Sequence, residues 1–133
     1  MKNAELILKF MFRAAHSLAD YEKPHFHYWT VEAAISGEIR NGMIVDMAVL
    51  RTKLQTLISP LEGKYLNDVT TLAPAAQKAP TCETLGSHFA TLISTELQST
   101  FAPLNPSVHL AWISVAIHEE DKVEMGAVKQ WVD

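Results

Sequence analysis

Strand-like runs stand at both ends of this chain, and helical stripes lie only between them. Residues 6–13 are rich in Leu, Ile and Phe and bounded by charge. Extended to "LILKFMFRAAH", the run ends on His16; periodicity alone leaves a buried helix segment open there. Residues 26–36 form a second strand candidate, closed by Gly37, and Asn41-Gly42 is a reversal signal. "MIVD" reads as a short extended piece. Asp46 is a helix N-cap candidate, followed at helical spacing by Met47, Leu50, Leu54, Leu57 and Ile58, until Pro60 stops the helix. Residues 60–80, with Pro60, Gly63, Pro74 and Pro80, read as a long irregular stretch of the kind often tied to function. Thr81 is the next N-cap. Leu85, Phe89, Leu92, Ile93 and Leu97 keep one face apolar to about Ser99, and "FAPLNPS" links onward. Residues 108–118 make a third strand, "EEDK" a turn, and residues 123–132 the returning strand. The order ββααββ predicts an α+β fold: a four-stranded antiparallel sheet with two helices on one face.

Composition narrows the function. At 133 residues the chain is one domain, spanning 1–133, large enough to bury a core without staples. A net charge of −4, with no basic run or arginine stripe, gives nucleic-acid binding no electrostatic support. No apolar stretch reaches membrane-spanning length, so no membrane partner is expected. The N-terminal apolar stretch is interrupted by Lys9 and Arg13 and does not read as a signal peptide. Cys82 is the lone cysteine. It excludes an internal disulfide and a site built from cysteine pairs, and fits a cytoplasmic protein.

Three of the six histidines fall within twelve residues: His16 in "AAHSL", and His25 and His27 in "PHFHYW". In a strand, positions i and i+2 share a face, with Cα atoms roughly 7 Å apart. If the first two strands pair, His16 reaches the same point. Each histidine alone reads as an ordinary strand or loop residue. The three together read as a metal centre, because three imidazoles with an open fourth position form a catalytic zinc arrangement.

The segments "FRAAHSL", "HFHYWTVE", "GMIVDMAVL", "LEGKYLND", "PTCETL" and "AIHEED" occur in an order and spacing that resembles the 6-pyruvoyltetrahydropterin synthase and 6-carboxytetrahydropterin synthase family. The resemblance runs from Phe12 to about Asp121. It implies the tunnelling fold, in which subunits associate through their sheets into a ring, usually a trimer stacked on a trimer. It implies a pterin as the small-molecule substrate and Zn²⁺ held by His16, His25 and His27. It also places a pterin-anchoring glutamate at Glu119, whose carboxylate can accept two hydrogen bonds from ring donors. Thr81 falls at the pocket wall, a role compatible with helix capping.

The chain departs from the family pattern at several places. Phe26 stands where the paired-histidine segment usually has Gly; strand alternation points its side chain away from the metal. "LADYEKPHFH" lacks the cysteine that usually serves as base, and Cys82 does not replace it by position. In "LEGKYLN", Glu62 and Gly63 stand where the family has an Asp-His pair, with Lys64 and His118 as stand-ins for the missing histidine. Some family members carry a glutamate three residues before the first of the paired histidines, as Glu22 does here. That branch cleaves dihydroneopterin to 6-hydroxymethyl-dihydropterin. Two readings follow: a zinc-dependent pterin lyase or aldolase with Glu22 as base, and a catalytically reduced pterin- or purine-binding homologue.

Overall fold

The computed structural model describes residues 2–19, 22–120 and 123–132. Four strands, β1 (Asn3–His16), β2 (His25–Glu38), β3 (His109–His118) and β4 (Glu124–Trp131), form one sheet in the order β1-β2-β3-β4, every neighbour antiparallel. Between β2 and β3 the chain forms α1 (Met47–Ile58), a short α2 (Pro74–Lys78) and α3 (Cys82–Glu96). This is the sheet-and-helix order expected, with one five-residue helix added.

Local sequence accounts for most boundaries. Asn41 and Gly42 take φ of 53° and 83°, the left-handed pair of a tight reversal, and Arg40 and Met43 exchange backbone hydrogen bonds across it. Asp46 caps α1 by accepting from the Val49 N–H at 3.2 Å, and Thr81 caps α3 by accepting from the Thr84 N–H at 3.1 Å. Four expectations need correction. β1 begins at Asn3, because pairing with β2 extends it beyond its apolar run. "MIVD" is not extended beyond the bridge at Met43; Ile44 and Val45 bend to deliver the chain to the Asp46 cap. Residues 60–80 are not irregular throughout: Ser59–Leu61 and Leu66–Asp68 are 3₁₀ turns and Pro74 opens α2, proline being well suited to a first helical turn. α3 gives way after Glu96 to a π-helical turn, Leu97–Phe101. Of the "EEDK" turn, Asp121 and Lys122 lie outside the described residues.

Period-two alternation divides the sheet into two faces. Even positions of β1 (Leu8, Phe10, Phe12, Ala14) and odd positions of β2 (Trp29, Val31, Ala33, Ile35) are buried toward the helices. There they meet Leu50, Leu54 and Ile58 of α1 and Leu85, Phe89 and Ile93 of α3. Phe12 lies 6.2 Å from both Trp29 and Phe89, and the Trp29 indole N–H donates to the Ala14 carbonyl at 3.1 Å. The opposite sheet face carries Met11, Arg13, Phe26, Tyr28 and His118 and has no layer over it among the described residues.

Trp29 is fully buried at the junction of β1, β2 and α3. Trp29→Ala is expected to destabilise the fold by about 3–5 kcal/mol, measured as a lowered midpoint in chemical denaturation.

Candidate metal centre

β1 and β2 pair without interruption from Asn3↔Glu38 to His16↔His25. His16 therefore faces His25 across the ladder. His27, two residues on and opposite Ala14, points to the same helix-side face. One ring nitrogen from each of the three lies within 4.8 Å of the others, and the ring centroids are 4.6, 5.2 and 4.9 Å apart. His16 and His27 are buried and His25 is exposed, so the cluster has a protein side and an open side.

Backbone carbonyls orient all three rings. Nδ1 of His16 bonds to the Pro80 carbonyl at 2.7 Å, Nδ1 of His27 to the His118 carbonyl at 3.0 Å, and Nδ1 of His25 to the Lys23 carbonyl at 3.2 Å. A carbonyl only accepts, so Nδ1 carries a proton in each ring, and in the neutral form Nε2 keeps its lone pair. Such outer partners fix the tautomer of metal-ligating histidines. Burial holds the pKa of His16 below its ordinary value; the Pro80 carbonyl opposes this, and charge on His25 or His27 reinforces it. The neutral imidazole is the form that ligates. The donor set fits a divalent ion that takes nitrogen ligands.

Beyond the histidines, the structure sorts the expected residues. Glu22 lies beside the cluster, its Oε1 3.5 Å from His25 Nδ1 and accepting from the Leu18 N–H at 3.3 Å. Thr81 caps α3 directly after Pro80, whose carbonyl holds His16. Glu119 is exposed just past β3, and its backbone N–H donates to the Val123 carbonyl at 2.8 Å. The Phe26 side chain lies on the opposite sheet face, as alternation requires. So does that of His118, whose Nε2 bonds to the Thr30 hydroxyl at 2.8 Å. His118 therefore does not stand in for a missing catalytic histidine on the metal side. Glu62 accepts from the Arg13 N–H at 3.1 Å, and Gly63 takes a φ of 75°, a backbone state that favours glycine.

A supporting clamp went unread in the sequence. Asn67 mimics a strand: its Oδ1 accepts from the Ser17 N–H at 3.0 Å and its Nδ2 donates to the Ser17 carbonyl at 2.8 Å. The Tyr65 hydroxyl meets the Ser17 hydroxyl at 2.5 Å, and the Ala15 N–H donates to the Lys64 carbonyl at 2.8 Å. Residues 62–67 thus brace the end of β1 that carries His16. The sequence signal for the clamp is Tyr65 and Asn67 of "LEGKYLN", two hydrogen-bonding side chains just past Glu62, Gly63 and Lys64.

The model of the 6-pyruvoyl tetrahydropterin synthase family matches residues 5–126, nearly the whole chain. The chain belongs to that family. Among curated proteins it is similar to the dihydroneopterin monophosphate aldolase of Pyrococcus furiosus, 28% identical over 68 residues. That match covers 50% of this chain and 60% of the relative, so the chain spans less than two thirds of the relative's length. Among solved structures it resembles the 6-pyruvoyl tetrahydropterin synthase of Caenorhabditis elegans, with TM-score 0.70 and 18% identity over 100% of this chain and 98% of that one. It also resembles a Plasmodium vivax 6-pyruvoyltetrahydropterin synthase bearing a substitution at a catalytic glutamate, with TM-score 0.68 and 16% identity over 99% and 100% of the chains. These structural likenesses bear out the tunnelling fold.

Cys82 is buried, and burial pushes its thiol up to about 11, with Glu83 and Glu124 acting in the same direction. It is a neutral thiol at physiological pH and no base. At pH 8, alkylation of Cys82 is expected to run about 100-fold slower in the folded protein than after denaturation, as followed by mass spectrometry.

Proposed function

We propose that this protein is a zinc-dependent pterin lyase of the aldolase type, acting on a dihydroneopterin derivative with Glu22 as base. The observation that carries the reading is the trio of carbonyl-tethered imidazoles with Glu22 beside it. Family membership supports pterin chemistry. The Pyrococcus furiosus relative is named for cleaving a dihydroneopterin ester, and a Plasmodium vivax family member is described as having a catalytic glutamate.

His16, His25 and His27 would hold the zinc ion. A bound zinc ion supplies Lewis acidity and lowers the pKa of a coordinated hydroxyl. Glu119 would accept from the pterin ring donors and fix the ring, with Thr81 at the pocket wall. The Glu22 carboxylate would then accept the proton of the 2′-hydroxyl. The C1′–C2′ bond breaks, its electron pair is taken up by the conjugated ring, and C2′ and C3′ leave together as glycolaldehyde, C2′ becoming the aldehyde carbon. Reprotonation at C1′ gives 6-hydroxymethyl-dihydropterin. An acid-base group of this kind contributes about 10²–10⁴-fold in rate.

Purified after growth with zinc, the wild type is expected to contain zinc and to convert dihydroneopterin to the hydroxymethyl product, with little pyruvoyl- or carboxy-tetrahydropterin formation. His25→Ala should lose zinc. Glu22→Gln should keep zinc and pterin binding while losing turnover by about 10²–10⁴-fold. Full activity in Glu22→Gln removes Glu22 as base. The glycine at position 63 and the absence of a cysteine in residues 17–24 favour the second reading, a pterin- or purine-binding homologue. Pterin binding without turnover of any of these substrates would select it.

The open edges of β1 and β4 suit pairing between subunits. The proposed assembly is a trimeric ring stacked on a second one, a homo-hexamer. Light scattering at micromolar concentration should give the hexameric mass, and a monomeric mass refutes it.

A further inference from the structure

Three side chains tie three strands together on the sheet face opposite the histidines. Arg13 of β1 sends its Nε to Glu120 Oε1 at 2.6 Å, and a second guanidinium nitrogen contacts the same oxygen. The guanidinium carbon sits 3.9 Å from the centroid of the Phe26 ring, a stacked cation–π arrangement. Phe26 belongs to β2, and Glu120 lies just past the end of β3.

Each end of this bracket neighbours a residue of the proposed site. Phe26 stands between His25 and His27. Glu120 follows Glu119, the first of three consecutive acids, Glu119, Glu120 and Asp121; Glu119 and Glu120 are exposed. Arg13 neutralises Glu120 and fixes it over the sheet. The Glu119 carboxylate makes no hydrogen bond among the described residues. Phe26 stands where the family pattern has glycine, and a glycine there would leave the guanidinium without its platform.

We infer that Arg13, stacked on Phe26, is a positioning residue: it captures Glu120 and thereby leaves Glu119, of these two neighbours, as the carboxylate presented to a pterin. The pair is partly exposed, with side chains 37% and 50% accessible. Its worth is therefore geometric, since exposed ion pairs add little to stability.

The inference rests on the Glu119 reading, and the test separates the two. Binding of 7,8-dihydroneopterin to the zinc-loaded protein is measured by fluorescence for the wild type, E119A, R13A, F26G, E120R and the swap R13E/E120R. Zinc content and melting temperature are recorded for each. R13A is expected to weaken pterin binding about tenfold, the scale of one misplaced charge-assisted hydrogen bond. Its zinc content and melting temperature should hold close to wild type. F26G should weaken binding in the same direction. E120R should bind poorly, and the swap should recover part of that loss, the Phe26 platform no longer carrying a cation. A purely structural role would lower zinc content or melting temperature in R13A and show no recovery in the swap; either result overturns the inference. So does wild-type affinity in R13A when E119A has lost binding. If E119A itself binds as wild type, the anchor reading falls and the bracket falls with it.

Discussion

The β1–β2 ladder runs unbroken over fourteen pairs, from Asn3↔Glu38 to His16↔His25. A slip of one residue would turn His16 to the opposite face, because side chains alternate with period two. The same slip would expose Phe10 and Phe12 and bury Lys9. The register that closes the core is therefore the register that assembles the histidines. Trp29 joins the two demands: it is fully buried, stacks with Phe12, bonds to the Ala14 carbonyl and lies 5.0 Å edge-on to His16.

Loop carbonyls then do what strand pairing cannot. A strand fixes where a Cβ points, while an imidazole still rotates. Pro80 from the α2–α3 connection, His118 from the end of β3 and Lys23 from the β1–β2 loop each hold one Nδ1. The rings therefore depend on three separate parts of the chain. The Asn67 clamp on Ser17 adds a fourth, holding β1 straight past its last paired residue. With the Nδ1 protons committed, Nε2 is the nitrogen each neutral ring can offer, and burial favours the neutral form of His16.

The two sheet faces have different electrostatic characters. On the helix side, the centre is built from imidazoles, with Glu22 as its nearby carboxylate. On the other face, charge is arranged in pairs: Lys9 with Glu32, and Arg13 with Glu120 over Phe26. Phe26 belongs to this second system. Its side chain therefore lies away from the histidines, on the back of the sheet.

The sequence by itself determined the four strands, the two long helices and the histidine trio. Strand alternation, the Asn41-Gly42 reversal, the Asp46 and Thr81 caps and the apolar stripes are local signals, readable because each acts within a few residues. His25 and His27 were legible as a pair for the same reason, and His16 joined them once the first two strands were taken as partners. Tertiary structure decided the rest. That Pro80 and His118 supply carbonyls to the rings, that Asn67 imitates a strand beside Ser17, and that His118 turns its ring to Thr30 all involve partners 50 to 91 residues apart in sequence. No local pattern encodes such contacts. They exist only after the helices have folded onto one face of the sheet and brought the loops to its end.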